Sequence, residues 1–260
     1  MAALIRPPGT YVHGISLSNF YPCQALSRHG RLVAPDFFAI GDPELRAAHT
    51  SVRQTSIDYL RTKGLPESIM TPRAGECVQI AAIIRGGGHV GIGADNTKWF
   101  SREHMNKILR RGDIELELEE VRREVRPESA SRLCSLWVAE DSDVGKAHVR
   151  DMLGPDVFVL RVSVPYAIRF TRVDTTWFER YSRTRMREYA ENYWNGRHSG
   201  DAATWEFLVE GCIEAVDSAD LEYIRENGGH LELQRRQRER VESATEPHDG
   251  STSDPPPPVS

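Results

Sequence analysis

The sequence predicts one mixed domain of the α+β class. Apolar runs typical of strands occur in both halves of the 260-residue chain, and segments with helix-capping residues separate them. Hydrophobic residues make up 39% of the chain and charged residues 27%, so a sizeable core can be buried. The sequence contains no internal repeat, which favours a single domain over an array of small units.

Helices are predicted where a polar or proline start is followed by a glycine or proline stop. Residues 18–30 fit this pattern, and Gly30 marks the end of the helix. A longer helix is predicted over residues 42–64, because proline occupies its first helical position and glycine follows its last turn. The remaining predicted helices are 101–111, closed by Gly112, 142–153 and 174–195.

Strands are predicted at apolar runs that are bounded by turn residues. These runs are residues 77–84, 132–140, 157–164 and 205–217, the last as one or two strands. Residues 114–126 remain ambiguous, because their alternation of apolar and acidic residues fits a strand while their charge pairing fits a helix.

Charge, cysteine content and hydropathy restrict the class of protein. Acidic residues outnumber basic ones by 38 to 33, so the net charge is −5 and nucleic acid could bind only at a local basic patch. The four cysteines are widely spaced without a C-x-x-C pair, which predicts free thiols, a reducing compartment and no metal site. Neither a secretory signal nor a run of roughly 18 apolar residues is present. We therefore expect a soluble cytoplasmic protein with no membrane partner.

Both ends of the chain are predicted to lie outside the domain. Residues 1–9 are predicted as an N-terminal extension and residues 10–234 as the domain. Residues 235–260 are charged and proline-rich, so they cannot bury enough apolar surface to offset the entropy of ordering. We predict that this tail is disordered.

Two separated motifs carry groups suited to chemistry. His13-Gly14, predicted to lie just after a strand, offers an imidazole beside unobstructed backbone groups, which suits a planar carboxamide and a ribose hydroxyl. By itself the pair favours a turn with a half-buried histidine. Glu206 precedes Phe-Leu-Val in a predicted strand, where a glutamate is expected to be paired, functional or at a solvent-facing edge.

Together these motifs carry a resemblance. H-G-x-S-x-x-N from His13, with Leu26 and Gly30 at the end of the next helix, resembles the opening of poly-ADP-ribose polymerase-like ADP-ribosyltransferases. E-F-L-V-x-G from Glu206 is similar to the catalytic-glutamate strand of that superfamily, notably of its bacterial nucleic-acid-modifying toxins. Residues 131–137 resemble its middle strand. The resemblance spans about residues 10–217 in three short blocks, and residues 65–128, which match none, are predicted as an insertion.

The resemblance implies an ADP-ribosyltransferase-like split β-sheet with flanking helices, with NAD as substrate and no metal. Glu206 would hold the nicotinamide-ribose 2′-hydroxyl and stabilise the cation that forms, as a carboxylate does in glycosidases. His13 would bind the adenosine-side ribose, and the Gly14 backbone the nicotinamide amide. The other implied NAD-binding residues are Ser16, Arg132 and Ser135. The middle strand lacks the tyrosine that stacks on nicotinamide in many relatives, so Trp137 or a tyrosine elsewhere would replace it.

The implied activity is transfer of ADP-ribose to a macromolecular acceptor, either nucleic acid or protein. By analogy alone, such an enzyme could be a toxin or phage-defence effector with a companion inhibitor protein. Transfer of a 2′-phosphate from RNA to NAD uses a similar fold and stays open as an alternative.

Two further segments support alternatives of other classes. Arginines and aromatic residues are interleaved over residues 169–187, which suits a non-catalytic RNA- or protein-binding module centred on the predicted helix 174–195. Residues 86–91 spell G-x-G-x-x-G, as in nicotinamide oxidoreductases. A dinucleotide fold requires a helix to begin there, whereas the turn residues that follow favour a hairpin or lid.

Overall fold

The computed structural model describes residues 4–37, 51–66, 73–88, 91–92, 98–200, 203–229 and 231. Its strands are β1 (Tyr11–Ser16), β2 (Arg31–Val33), β3 (Gly91–Ile92), β4 (Lys98–Trp99), β5 (Leu136–Glu140), β6 (Val157–Asp174) and β7 (Trp205–Ala215). Its helices are α1 (Phe20–His29), α2 (Ile57–Lys63), α3 (Arg73–Arg85), α4 (Arg102–Val125), α5 (Asp143–Leu153), α6 (Thr175–Thr184), α7 (Arg187–Trp194) and α8 (Ser218–Asn227). The α+β class predicted from the sequence is confirmed.

An antiparallel sheet in the order β2-β7-β5-β1-β6 forms the centre of the molecule. The 18-residue strand β6 pairs with β1 through its first half and with β7 through its second half. Two register shifts in β6, between Ser163 and Tyr166 and between Ala167 and Arg169, separate the two halves. Because a bulge bends a strand and increases its twist, β6 can curl from one neighbour to the other.

Strands β1 and β5 separate soon after they meet. They pair only at Tyr11–Glu140 and Val12–Ala139. Beyond this point β1 continues along β6 as far as Ser16, while β5 follows β7. A gap therefore opens between the C-terminal half of β1 and the N-terminal half of β5.

Strand β7 separates two apolar clusters. Phe207 and Val209 belong to a cluster that includes α1 and α8 residues, whereas Leu208 belongs to a cluster built from α4, α6 and α7. This alternation follows from the two-residue repeat of a strand, which sends successive side chains to opposite faces. Glu206 and Glu210 therefore share the face of Leu208, beneath the second helical layer.

The predicted strand over residues 77–84 is wrong, because this segment lies within helix α3. Its buried residues Ala74, Val78, Ala81 and Ala82 follow the spacing of one helical face. A short apolar run does not distinguish a buried helix from a buried strand, and here the helix prevails.

The four cysteines are free thiols, as predicted.

Other predicted boundaries also change. Helix α4 begins after its N-cap Ser101, but it continues through the predicted stop at Gly112 and includes the ambiguous residues as far as Val125. Gly112 fits there because an added Cβ would lie 2.7 Å from the Ala81 Cβ of α3. The predicted helix 174–195 is broken into α6 and α7 at Arg185, whose φ is +60°.

Several segments differ in extent from the prediction. The described part of the helix predicted over 42–64 consists of a 3₁₀ turn, Val52–Gln54, and the short helix α2. The strand predicted over 132–140 begins only at Leu136, and β6 runs ten residues beyond the predicted strand end at Val164. The predicted helices 18–30 and 142–153 and a single strand within 205–217 are confirmed.

The two chain ends are only partly described. Ile5, in the predicted extension, forms a backbone bridge with Ala167 of β6. The predicted disordered tail, residues 235–260, lies outside the described residues. Among the described helices, none is both long and apolar enough to cross a membrane.

Candidate active site

A cavity of about 840 Å³ lies where β1 and β5 separate. Its walls come from β1, β2, β5 and α5, with contributions from the start of α3 and from β7. Five of the six residues predicted as the site line this cavity: His13, Gly14, Ser16, Ser135 and Glu206. Residues far apart in the sequence are thus brought to one space, and its volume is within the range of small-molecule and cofactor pockets.

Glu206 is buried, with 1% of its surface exposed, and its two carboxylate oxygens have different surroundings. Oε1 accepts hydrogen bonds from Arg132 Nη1 at 2.9 Å and from the Tyr193 hydroxyl at 2.7 Å. Oε2 is buried and has no hydrogen-bond partner among the described residues. A buried carboxylate oxygen without a donor is costly, so this atom points to a function in binding or catalysis.

Arg132 supports Glu206 and is not one of the cavity-lining residues. Its guanidinium also donates to both oxygens of Glu115, at 2.8 and 3.1 Å, and to the Tyr193 hydroxyl at 2.5 Å. Burial opposes the charge of Arg132, but Glu115, Tyr193 and Glu206 together raise its pKa well above the usual value. In the structure Arg132 contacts Glu206 and does not line the cavity, and its contact with NAD stays a prediction.

His13 bridges the gap between the separating strands. Its Nδ1 lies 2.6 Å from the backbone oxygen of Trp137. Since a carbonyl only accepts, Nδ1 carries the hydrogen and donates, which leaves a lone pair on Nε2 in the neutral ring. Burial lowers the pKa of His13, and the hydrogen bond to Trp137 opposes this only in part. His13 therefore presents a neutral acceptor to a ligand hydroxyl.

Four buried polar atoms on the cavity-lining residues have no hydrogen-bond partner within the described part of the chain. They are Ser135 Oγ, Trp137 Nε1, His148 Nε2 and Glu206 Oε2. Buried polar groups in folded proteins are nearly always paired, so four such atoms on residues that line one cavity make it a candidate binding site for a polar ligand. The set contains a donor-only indole, an acceptor carboxylate, and a hydroxyl and an imidazole that can do either.

Gly14 lies inside β1, whereas the sequence predicted the His13-Gly14 pair just after a strand. An added Cβ would lie 2.5 Å from Val149 Cγ1 and 2.6 Å from Leu153 Cδ1, both on α5. The glycine is therefore required for close packing of α5, a different reason from the predicted approach of a ligand. Ser16 ends the same strand, with its hydroxyl 2.8 Å from that of Ser18.

The sequence analysis missed three charged residues of the cavity wall: Arg73, Glu76 and Asp156. Arg73 begins α3, within the predicted insertion, and donates to the Met152 backbone oxygen at 2.6 Å. Burial and the nearby charge of Arg111 lower its pKa. No local motif marks Arg73, because its position depends on how α3 packs beside α5.

The two alternative segments lie elsewhere. In the glycine run, Gly91 belongs to β3, which pairs with β4 in a two-stranded antiparallel ribbon, so the described end of the run is a strand and the predicted hairpin is favoured. In the arginine-rich segment, Arg185 and Arg187 bind the α4 carboxylates Glu117 and Glu124, both at 2.5 Å. These ion pairs reduce the positive charge available to nucleic acid.

No curated protein matches this sequence. A family model matches residues 89–224, a span that includes Ser135 and Glu206 but begins after His13. This span is more than half of the chain, and the chain therefore belongs to the family described as Protein of unknown function (DUF2441).

Proposed function

We propose that this protein is an ADP-ribosyltransferase that cleaves NAD and transfers ADP-ribose to a macromolecular acceptor. One observation carries the proposal: Glu206, which has a buried oxygen unpaired among the described residues, lines the same cavity as His13 of β1. The separation of β1 from β5 at this cavity also fits the split sheet implied by the resemblance. The proposed assignment to the ADP-ribosyltransferase fold rests on the cavity shared by Glu206 and His13 and on this separation of the two strands.

Glu206 has the surroundings that cleavage of the nicotinamide–ribose bond requires. Loss of nicotinamide leaves positive charge on the ribose, and a fixed carboxylate in a water-poor site stabilises that charge. Arg132 carries one positive charge and is shared between Glu115 and Glu206. By formal charge, the two carboxylates and the one guanidinium sum to −1, and Glu206 is the member of this group that lines the cavity.

The remaining cavity groups suit other parts of NAD. Neutral His13 can accept a hydrogen bond from a ribose hydroxyl through Nε2, and Ser135 and Trp137 can donate to the carboxamide oxygen. Arg73 supplies a guanidinium, which matches the geometry and charge of a pyrophosphate. The proposal thus gives these polar groups of the cavity a partner.

Incubating the full chain with NAD that is radiolabelled in its adenylate part tests this function. Released nicotinamide is measured by chromatography, and label transfer is measured separately in protein, RNA and DNA fractions of an added cell lysate. We expect nicotinamide release with label in one fraction, and loss of both in Glu206→Gln, which preserves the size of the side chain.

Glu214→Gln is the matched control, because Glu214 lies on the same strand but is only half-buried, with its carboxylate 3.9 Å from Arg31. It should retain wild-type activity. Absence of nicotinamide release and of label transfer with the wild type contradicts the proposal. So does equal activity in Glu206→Gln.

A further inference from the structure

The hydroxyl of Tyr193 lies between the Arg132 guanidinium and the Glu206 carboxylate and forms a hydrogen bond with each. It accepts a hydrogen bond from Arg132 Nη1 at 2.5 Å and donates one to Glu206 Oε1 at 2.7 Å. Burial and the neighbouring Glu206 raise the pKa of Tyr193 well above that of a free phenol, although Arg132 opposes this. The hydroxyl therefore keeps its proton and remains a donor.

The donors that the described residues supply to Glu206 belong to residues that do not line the cavity. Arg132 and Tyr193 both bind Oε1, and Arg132 is itself fixed by two hydrogen bonds to Glu115 of α4. The rings of Trp137 and Phe178 lie 4.1 and 4.2 Å from the Arg132 guanidinium carbon, which fixes its plane. A carboxylate held in this way by one oxygen cannot rotate without breaking two short hydrogen bonds.

We propose that Tyr193, with Arg132 and Glu115, is a positioning residue that aims Glu206 Oε2 at the ribose of the substrate. This inference rests on the proposed function and deepens it. The resemblance assigns no role to Tyr193 or to Glu115, which lie in α7 and α4. The group acts through Glu206 and touches no substrate itself.

The choice of Oε1 has a chemical consequence. If the donors were distributed over both oxygens, the negative charge available to the ribose would be reduced by hydrogen bonding. Because they converge on Oε1, Oε2 keeps its lone pairs for the 2′-hydroxyl and for the cation that develops beside it. Loss of the Tyr193 hydroxyl should therefore affect the transition state more than the bound substrate.

Tyr193→Phe tests the inference, because it removes the hydroxyl and preserves the ring that packs against Trp194. We expect kcat for nicotinamide release to fall by about 10- to 100-fold, the effect of losing a hydrogen bond to a charged group, with KM for NAD within about twofold. Arg132→Lys, which preserves the charge but loses the planar fork, should show the same separation of kcat from KM. If Tyr193→Phe does not fold, the kcat and KM of Arg132→Lys alone test the positioning role.

Tyr181→Phe is the control, because its hydroxyl donates to Glu117 at 2.6 Å in the same helical layer, away from the cavity. It should lower the melting temperature and leave kcat unchanged. A double-mutant cycle adds a readout that a purely structural residue would not produce. In the Glu206→Gln background, Tyr193→Phe should leave the residual rate unchanged, because its only route to the reaction has been removed.

The outcomes separate the inference from the function. Nicotinamide release by the wild type that is undiminished in folded Tyr193→Phe and Arg132→Lys overturns the positioning role and leaves the activity intact. An equal loss of rate on Tyr193→Phe in the wild type and in the Glu206→Gln background also overturns it. An inactive wild type overturns both proposals.

Discussion

Glu206 and Glu210 form a natural comparison within one strand. They lie four residues apart on the same face of β7, with 1% and 0% of their surfaces exposed. Each is bound by arginine: Glu206 by Arg132, and Glu210 by Arg53 and Arg169. By burial and charge pairing the two glutamates are nearly alike.

They differ in how completely their oxygens are used. Glu210 Oε1 accepts from Arg53 and from the Ser131 backbone N–H, and Oε2 accepts from Arg169 at 2.7 Å. Within the described residues Glu206, which lines the cavity, has donors on Oε1 alone, and its buried Oε2 is unpaired. Under the proposed function, an unused oxygen on a cavity-lining residue, and not burial of a charge, would distinguish the catalytic Glu206 from the structural Glu210.

Exchanging each glutamate for glutamine tests this difference and should produce the largest effects. Glu206→Gln should lower kcat on the order of 10²- to 10³-fold, because it removes the charge that faces the ribose. Glu210→Gln should instead lower the free energy of unfolding by about 3–5 kcal/mol, because two arginines lose a buried partner. The rate of nicotinamide release and the free energy of unfolding in chemical denaturation are measured for both variants. A larger loss of rate in Glu210→Gln and a larger loss of stability in Glu206→Gln would contradict the comparison.

Gly14→Val tests whether the opposite wall of the cavity is fixed by packing. Its side chain would collide with Val149 and Leu153, so we expect a loss of about 1–3 kcal/mol in the free energy of unfolding. Gly86→Ala is the control, since its nearest contact to an added Cβ is 3.5 Å. Equal stability of the two variants in urea denaturation would show that α5 does not pack closely on β1.

His13 makes the stability of this wall dependent on pH. Its pKa is lowered in the folded state, so below pH 6.5 the unfolded chain takes up the proton first. The free energy of unfolding should therefore fall as pH decreases from 6.5 towards the lowered pKa, by at most about 1.4 kcal/mol per pH unit. Replacing His13 with Asn should flatten this part of the profile in thermal melts, whereas an unchanged slope would assign the effect to another group.

Trp137→Phe should have the smallest effect. It removes the unpaired indole N–H and keeps an aromatic ring beside Arg132. Loss of one neutral hydrogen bond to the ligand should weaken NAD binding by about 0.5–1.5 kcal/mol, which is at most roughly tenfold in Kd. Isothermal titration with NAD measures the change, and an unaltered Kd would show that the indole N–H does not contact the ligand.

Local sequence signals predicted the elements that carry the site. The capping residues predicted α1 and α5, and Glu206 could be placed on a strand because its apolar neighbours demanded burial. His13, Ser135 and Glu206 line one cavity. Their convergence was predicted from the order of the three short sequence blocks that carry the resemblance, and not from any residue spacing within a block.

The remaining features depend on tertiary packing. Residues 77–84 read as a strand because a short apolar run carries no reliable period, and only contacts with α4 favour a helix. Glu115, Tyr193 and Arg73 could not be assigned, because each gains its role from an element distant in sequence. Arg132, predicted to bind NAD, contacts Glu206 and does not line the cavity, and its role in the site stays a prediction.

The most direct test is a crystal structure of the Glu206→Gln variant with NAD bound, which measures the distance from residue 206 to the nicotinamide-ribose 2′-hydroxyl. The account predicts a hydrogen bond of about 3 Å from the cavity-facing amide atom, with His13 Nε2 on a ribose hydroxyl of the same molecule. NAD bound away from this cavity, for example beside the glycine run at residues 86–91, would contradict it.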